Sequence, residues 1–561
     1  MNTRVIICAV LLLFLFAVPG INHGLWLPDE PRVAGICSEM ARTRDFVVPK
    51  LNGQPFLEKP PLYYSAGAIV GTLAGIDRDI PYRIVSLTFG ILTLLVTFFF
   101  MKRRYGFTPG LVAAGILATT WEFFHISRWI LVDNALVFGV AVAVFTYLEL
   151  TRKPSVGNSV LLGLGIGISF LAKGAAGPAI IASGIGMDII LRRDWKTIRN
   201  TNPFLVILTM TALILPWIGA LYGKGGWPFV REIIVVNNIM RFTGAPEGAA
   251  LGHQHGMFYY LDLFPRAVLP WTLLFIPAFV SSIRHYRENP YLGLFLGPFV
   301  LLTIASTKRG IYLTPLLPAV ACMVTHWLMS SSFKQWESYL IKATWLIAIL
   351  GCVLPFSGIF MGQALLGILL GGISLTTLFM VRRKMETSYL KPMLLVALMY
   401  VGLIASTTVY FSYMTPHKDF LRFGREAVRT ADGRELHVLK GDELFSGLLP
   451  MITGKTHQVI DTADTVPGLY MYATRYSDDS TPFPHGIEID ILIEKKVGNK
   501  RAVLAEVLAG SQAQDQGGQD LPEPGILPAV GDRPCYLDSR HLITMKGDGR
   551  RGFRRGCVVF W

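Results

Sequence analysis

The sequence predicts a polytopic α-helical membrane protein with a small α/β domain outside the bilayer. Three observations carry this. Of 561 residues, 52% are hydrophobic and only 16% charged, with a mean hydropathy of +0.46, whereas soluble domains carry about a quarter charged residues. Apolar runs, each near the roughly 20 residues a membrane helix needs, succeed one another as far as residue 413. From residue 414 the chain turns mixed and polar.

The length rule places thirteen spans, near 5–22, 81–101, 107–124, 129–150, 157–172, 174–191, 203–222, 265–283, 290–306, 310–329, 340–358, 361–381 and 390–413. The first follows Arg4 and shows no small-residue cleavage site, so it reads as a retained anchor. Residues 61–76, PLYYSAGAIVGTLAGI, are apolar but short and rich in small residues. Charge decides their place. If they do not cross, the basic clusters at 102–104, 152–153, 192–196, 284–287 and 382–384 all share the side of Arg4. That is the positive-inside pattern. Residues 61–76 therefore read as an interfacial helix. The N-terminus is then inside, the first loop (23–80) outside, and the C-terminal domain (414–561) outside the membrane domain (1–413).

Within the outer domain, RELHVLKG, HQVIDTA and GIEIDILIEK cluster β-branched residues as strands do, and 501–509 fits a helix. Residues 510–530 read as a Gly/Pro/Gln-rich linker and CVVFW as a final strand. Cys8, Cys322 and Cys352 lie in apolar segments, and no pair has CxxC spacing. Cys535 and Cys557 share the outer domain, where bonded and free states are both open. The net charge of +14 need not mean nucleic acid, since basic residues on cytoplasmic loops give the same sign. No nucleic-acid motif, Walker loop or GxGxxG after a strand is present.

This topology puts the remaining charges on one face. They are Asp29–Glu30, Glu58–Lys59, Arg78, Arg83, Arg128 with Asp133, Lys173, the 223–264 loop with Arg241 and His255, and Lys308–Arg309, with Tyr312 one helical turn on. Each has a plain reading. Asp29–Glu30 follow a Pro, as helix caps do, and Glu58–Lys59 can be an exposed pair. Arg128 and Asp133 can be a structural ion pair. Lys173, Lys308 and Arg309 can anchor to head groups, and the HxH spacing of His253 and His255 is a weak metal signal. Their convergence favours a site. Ionisable groups at a membrane are functional candidates. Cations hold phosphate, a carboxylate orients or activates an attacking group, and apolar walls suit a lipid. A secondary transporter would instead carry mid-bilayer charges and an internal repeat. A receptor or scaffold acting through its C-terminal domain leaves the outer charges unexplained.

The motifs DEPRVAGICSEM…DFVVPKLNGQPFLEKPPLYY, LVDNALVF, LAKG, RF…QH…FYYL…LPW and KRGIYLTP, in this order over residues 25–325, resemble the GT-C glycosyltransferases that use polyprenyl-phosphate sugars. The bacterial 4-amino-4-deoxy-L-arabinose (lipid A) transferases are the nearest resemblance, with protein O-mannosyltransferases more distant. The resemblance implies a GT-C fold and transfer of a sugar from undecaprenyl phosphate to lipid A, another envelope acceptor or a protein, on the outer face of the cytoplasmic membrane. It implies catalytic roles for Asp29, Glu30 and Asp133, and donor-phosphate contacts from Lys59, Lys173, Arg241, Lys308 and Arg309. Glu58, Arg128, His255 and Tyr312 complete the cavity. No cofactor is required, and a divalent metal on Glu58 and His255 is compatible with such enzymes. The expected partners are the lipid-linked donor, a lipid or protein acceptor and membrane lipids, without nucleic acid. Val33, Asn237–Asn238, the longer 243–255 loop and KRG at 308–310 depart from the family pattern around the expected sugar and acceptor contacts.

Overall fold

The computed structural model describes residues 16–17, 19–245, 255–329, 334–384, 391–477, 481–484 and 487–508, all in one compact unit. Arg4, Cys8, most of the first expected span, His253, the 510–530 linker, Cys535, Cys557 and CVVFW lie outside the described residues.

Eight helices among the described residues are long and apolar enough to cross a membrane, or nine if one bent pair counts as a span. The membrane domain contains α3 (Ile80–Tyr105), α4 (Phe107–Thr119), α5 (Trp121–Ile126), α6 (Asp133–Leu150), α7 (Val156–Lys173), α8 (Ala176–Arg192) and α9 (Pro203–Arg231). It continues with α10 (Tyr259–Ala267), α11 (Thr272–Arg284), α12 (Pro290–Ile304), α13 (Leu317–Leu328), α14 (Gln335–Val353), α15 (Ala364–Lys384) and α16 (Lys391–Lys418). Two expected spans are not straight helices. The 265–283 run is split between α10 and α11, bent by 115°. Pro265 and Pro270 lack the N–H a continuous helix needs. The 107–124 run breaks at Thr120 between α4 and α5, where the backbone is extended.

The first outer loop holds α1 (Glu30–Thr43), the short hairpin β1 (Lys50–Leu51) and β2 (Gln54–Pro55), and α2 (Leu62–Ala74). At about 1.5 Å per residue, the 13 residues of α2 fall short of a hydrocarbon core of about 30 Å. The helices α4 and α12, in the expected spans 107–124 and 290–306, are as short or nearly so, at 13 and 15 residues, so length alone does not set α2 apart from them.

After α16 come α17 (Phe420–Ala431), β3 (Leu436–Leu439), α18 (Glu443–Thr453), β4 (Val459–Ile460), β5 (Gly468–Arg475), β6 (Ile489–Val497) and β7 (Lys500–Val507). The sheet order is β4-β3-β5-β7-β6, with β3 parallel to β4 and β5 and the other pairs antiparallel. The helix expected over 501–509 is therefore a strand, as far as it is described. β7 lies between β5 and β6 and is buried on both faces: Ala502 and Leu504 enter one core, Val503, Ala505 and Val507 another. A strand covered on both sides loses the polar alternation that would have marked it.

α1 packs on α18, which ties the first loop to the outer domain. Val33, Ala34, Ile36 and Met40 share a core with Phe445, Leu448, Leu449 and Leu469. The crossing needs two glycines. A Cβ on Gly35 would lie 2.4 Å from the Gly447 carbonyl oxygen, and one on Gly447 would lie 2.4 Å from that of Pro31.

Candidate active site

Asp29 immediately precedes α1 and is 5% exposed. Arg32, one helical turn on, donates to its Oδ1 at 2.7 Å, and Arg309 donates to Oδ2 at 2.5 Å and Oδ1 at 3.3 Å. Burial pushes the Asp29 carboxyl up, but the Arg309 and Arg32 guanidinium groups outweigh it and hold its pKa below the ordinary value. Glu58 and Lys59 follow the hairpin. Glu58 Oε1 accepts from Lys59 Nζ at 3.0 Å and Arg241 Nη1 at 2.6 Å, and Arg32 lies 3.6 Å from Oε2. These cations overcome burial and keep Glu58 well below the usual carboxylate range. Burial lowers the Lys59 ammonium below its usual pKa, although Glu58 pulls it back up.

Asp133 opens α6 and Lys173 closes α7. An acid at an N-terminus and a base at a C-terminus each complement the helix dipole. The two form a tight, buried ion pair, and Lys173 Nζ lies 4.1 Å from the Tyr312 ring centroid. Gly174 makes the α7–α8 turn with φ +68°, and its missing Cβ leaves room for Asn238, whose Oδ1 accepts from the Ala175 N–H at 2.8 Å. Asn237 donates to the Leu57 carbonyl at 3.2 Å. The two asparagines therefore position the segments that carry Lys173 and Glu58. They lie in a π-helical segment, Glu232–Met240, that delivers Arg241. Such segments concentrate at functional sites.

These residues enclose a chamber of about 30 Å³ lined by Arg32, Lys59, Lys173, Arg241 and Arg309 against Asp29, Glu58 and Asp133. An apolar cavity of about 280 Å³ adjoins it, walled by residues such as Leu136, Ala176, Ile180, Phe242, Leu301 and Leu302. Lys59, Lys173, Arg241 and Tyr312 line both spaces. A ligand with an apolar tail and an anionic head fits this pair of spaces in one orientation, tail in the large cavity and head against the shared cations.

Four expected site residues are placed elsewhere. Glu30, adjacent to Asp29, is wholly buried and bonded to Arg83, to His23 Nε2 at 3.1 Å, and to the Trp26 and Ile130 N–H groups at 2.8 and 3.1 Å. Burial raises its pKa, but Arg83 and His23 prevail and bring it down to about 2. It is a hub of the scaffold, because the helix turn at Asp29 points successive carboxylates in different directions. Arg128 does not pair with Asp133. It is fully buried between the Phe16 and Phe124 rings and donates to the carbonyls of Phe16, Pro19 and Phe124. Lys308 donates to the carbonyls of Ala305 at 2.5 Å and His255 at 3.2 Å, capping the end of α12. The His255 ring stacks on Tyr259 at 4.1 Å.

A divalent metal on Glu58 and His255 does not fit this donor set. Glu58 is surrounded by three cations, and no three His, Cys, Asp or Glu side chains converge as metal ligands among the described residues. Two site residues were missed in the sequence. Arg32 was detectable, since it stands three residues after Asp29 on one helix. Glu443 was not. It opens α18, 411 residues away, and its Oε2 accepts from Arg32 Nη1 at 2.5 Å.

Comparisons with known proteins agree with this arrangement. The family described as dolichyl-phosphate-mannose-protein mannosyltransferase matches residues 58–219. An undecaprenyl phosphate-α-4-amino-4-deoxy-L-arabinose arabinosyl transferase of Edwardsiella ictaluri is 27% identical over 325 residues, 56% of this chain and 58% of that protein. Its counterpart in Serratia proteamaculans is 28% identical over 370 residues, 63% of this chain and 65% of that protein. The matches thus span less than two thirds of these relatives. The crystal structure of ArnT from Cupriavidus metallidurans bound to undecaprenyl phosphate superposes with a TM-score of 0.72 at 17% identity, covering 92% of this chain and 99% of that one. The chain therefore has the fold of that GT-C transferase and is similar in sequence to the aminoarabinose transferases that its first-loop motifs resemble.

Proposed function

We propose that this protein transfers a sugar of the aminoarabinose class from a polyprenyl phosphate donor to a phosphate of lipid A, at the outer face of the inner membrane. The observation that carries this is the sharing of Lys59, Lys173, Arg241 and Tyr312 between an apolar cavity and the chamber of Asp29. The polyprenyl tail occupies the cavity, and the donor phosphate displaces Glu58 and Asp133 from these cations. The acceptor oxygen attacks the anomeric carbon, the bond from that carbon to the donor phosphate oxygen breaks, and polyprenyl phosphate leaves with the electron pair. Cations fixed where charge develops stabilise that step without reorganising. No step is routed through a metal. The basic clusters at span ends support an inner N-terminus and an outer α/β domain.

The acceptor follows from Asp29. A carboxylate pinned by two guanidinium groups and depressed in pKa is a poor general base. A hydroxyl acceptor would need that base; a lipid phosphate is already ionised near neutral pH. The protein O-glycosyltransferase reading, which the match at 58–219 favours, is thereby the weaker one. Mass spectrometry of membrane lipids and envelope proteins with and without this protein tests the proposal. A lipid A species heavier by one aminopentose is expected. It should vanish with Asp29→Asn in a protein that still inserts and folds. An unchanged lipid A, or normal transfer by the variant, refutes the reading or the role.

A further inference from the structure

The guanidinium of Arg32 faces three carboxylates, and only two of them hold it. Nη2 donates to Asp29 Oδ1 at 2.7 Å and Nη1 to Glu443 Oε2 at 2.5 Å. Glu58 Oε2 lies 3.6 Å from the same Nη1, beyond hydrogen-bond reach. It accepts no hydrogen bond among the described residues, while the other oxygen of Glu58 takes Lys59 and Arg241. Those two cations line the apolar cavity as well as the chamber, whereas Glu58 and Arg32 line the chamber alone. The three acids differ in what release from their cations costs. The Glu443 side chain is 52% exposed, that of Glu58 20% and that of Asp29 7%. Glu443 is also the first residue of α18, where the helix dipole favours a negative charge. Freed from Arg32, it stays solvated. Freed from its cations, Glu58 is an uncompensated charge in an enclosed site, which is strongly unfavourable.

We propose that Glu443 is a positioning residue for donor binding: it holds Arg32 off Glu58 in the empty site and hands it to Glu58 when the donor phosphate takes Lys59 and Arg241. The inference rests on the proposed function, in which that phosphate displaces Glu58, and names where the displaced carboxylate goes. Closing 3.6 Å to the usual charge-assisted distance takes a movement of about 0.8 Å, a side-chain adjustment. One guanidinium cannot neutralise three carboxylates, so Glu443 leaves as Glu58 arrives. The coupling runs both ways. Breaking the Arg32–Glu443 pair is a cost set against donor binding, and donor binding loosens the first turn of α18 from α1. The outer domain thus differs between the empty and the donor-loaded enzyme at one ion pair.

The sign of one substitution separates this from a structural tie. Glu443→Gln removes the competitor for Arg32. The full-length variant in detergent should bind undecaprenyl phosphate about two- to fivefold more tightly by calorimetry, the size of one partly exposed ion pair. KM for the lipid-linked donor and kcat should fall together, because the polyprenyl phosphate product is held harder as well. A structural tie predicts weaker binding and a higher KM. Loss of any negative charge near the chamber also favours an anion, so the change is repeated in the presence of Glu58→Gln. With no carboxylate to receive Arg32, the gain from Glu443→Gln should disappear, whereas a through-space charge effect persists. In the unsubstituted protein, undecaprenyl phosphate should speed hydrogen exchange in residues 443–447, a readout that needs no variant. Unchanged or weaker binding by Glu443→Gln, a gain that survives Glu58→Gln, or exchange that ignores the lipid overturns the hand-over. Failure of the unsubstituted protein to bind undecaprenyl phosphate removes the donor reading and the hand-over together. Binding that follows the prediction without sugar transfer to lipid A leaves the hand-over standing and removes the proposed acceptor.

Discussion

Asp29 and Glu30 are neighbours with opposite duties. Asp29 faces cations in a chamber; Glu30 faces away into a network with Arg83, His23 and two backbone N–H groups. Removing one partner of a buried pair leaves an uncompensated charge and costs about 3–5 kcal/mol. Glu30→Gln should therefore lower the melting temperature sharply, whereas Asp29→Asn should abolish transfer with a smaller loss of stability. Differential scanning fluorimetry beside a transfer assay separates the two. The pH dependence has a definite sign. The folded pKa of Glu30, about 2, lies below its ordinary 4.5. Its stabilisation is complete above pH 4.5 and is lost as pH falls from there towards 2. An acid melt of the Glu30→Gln variant should be flatter across that window. Lys173→Ala should reduce kcat/KM by roughly a hundredfold, the size expected when one charge-stabilising group is removed.

At the scale of elements, the junction of α1 with α18 sets the site. A side chain on Gly35 or Gly447 would collide with backbone across the crossing. Gly447→Val should push α18 off α1, separate Glu443 from Arg32 and cut activity more than tenfold. Protease susceptibility of residues 420–508 should rise in the same variant, with insertion into membranes unchanged. This junction could not be read from the sequence, because Glu443 and Arg32 are joined only by folding. Eight of the thirteen expected spans could, because long apolar runs identify themselves, whereas the runs at 107–124, 174–191 and 290–306 form helices of 13 to 17 residues. So could Asp29, Lys59 and Lys173, charged residues at the ends of apolar runs. Local sequence did not reveal direction. It put Glu30 beside Asp29 and Arg128 near Asp133, but the helix turn sends Glu30 to Arg83, and carbonyls at Phe16 and Pro19 claim Arg128. The strand β7 was hidden for another reason: both of its faces are covered.

At the scale of the whole molecule, the apolar cavity and the charged chamber make one amphiphile-shaped space bounded by α7, α8, α12 and the first loop. Undecaprenyl phosphate should raise the melting temperature of the detergent-solubilised protein in a concentration-dependent way, by about 2.7 kcal/mol of stability at a hundred times Kd. An Arg241→Ala, Lys173→Ala double variant should lose that shift, read against its own ligand-free melting temperature, because stranding Asp133 in a buried site by itself costs about 3–5 kcal/mol. The chamber lining carries five cations against three carboxylates, an excess of positive charge aimed at the ligand's head. On the proposed reaction the donor enters as a phosphodiester with one negative charge and leaves as a phosphomonoester with nearly two. The leaving group is therefore gripped harder after the bond breaks than the donor was before. Such a site completes its first turnover quickly and then waits for its product to depart. Rapid-quench measurements should show a burst equal to the number of active sites, followed by a slow linear phase that raised ionic strength accelerates.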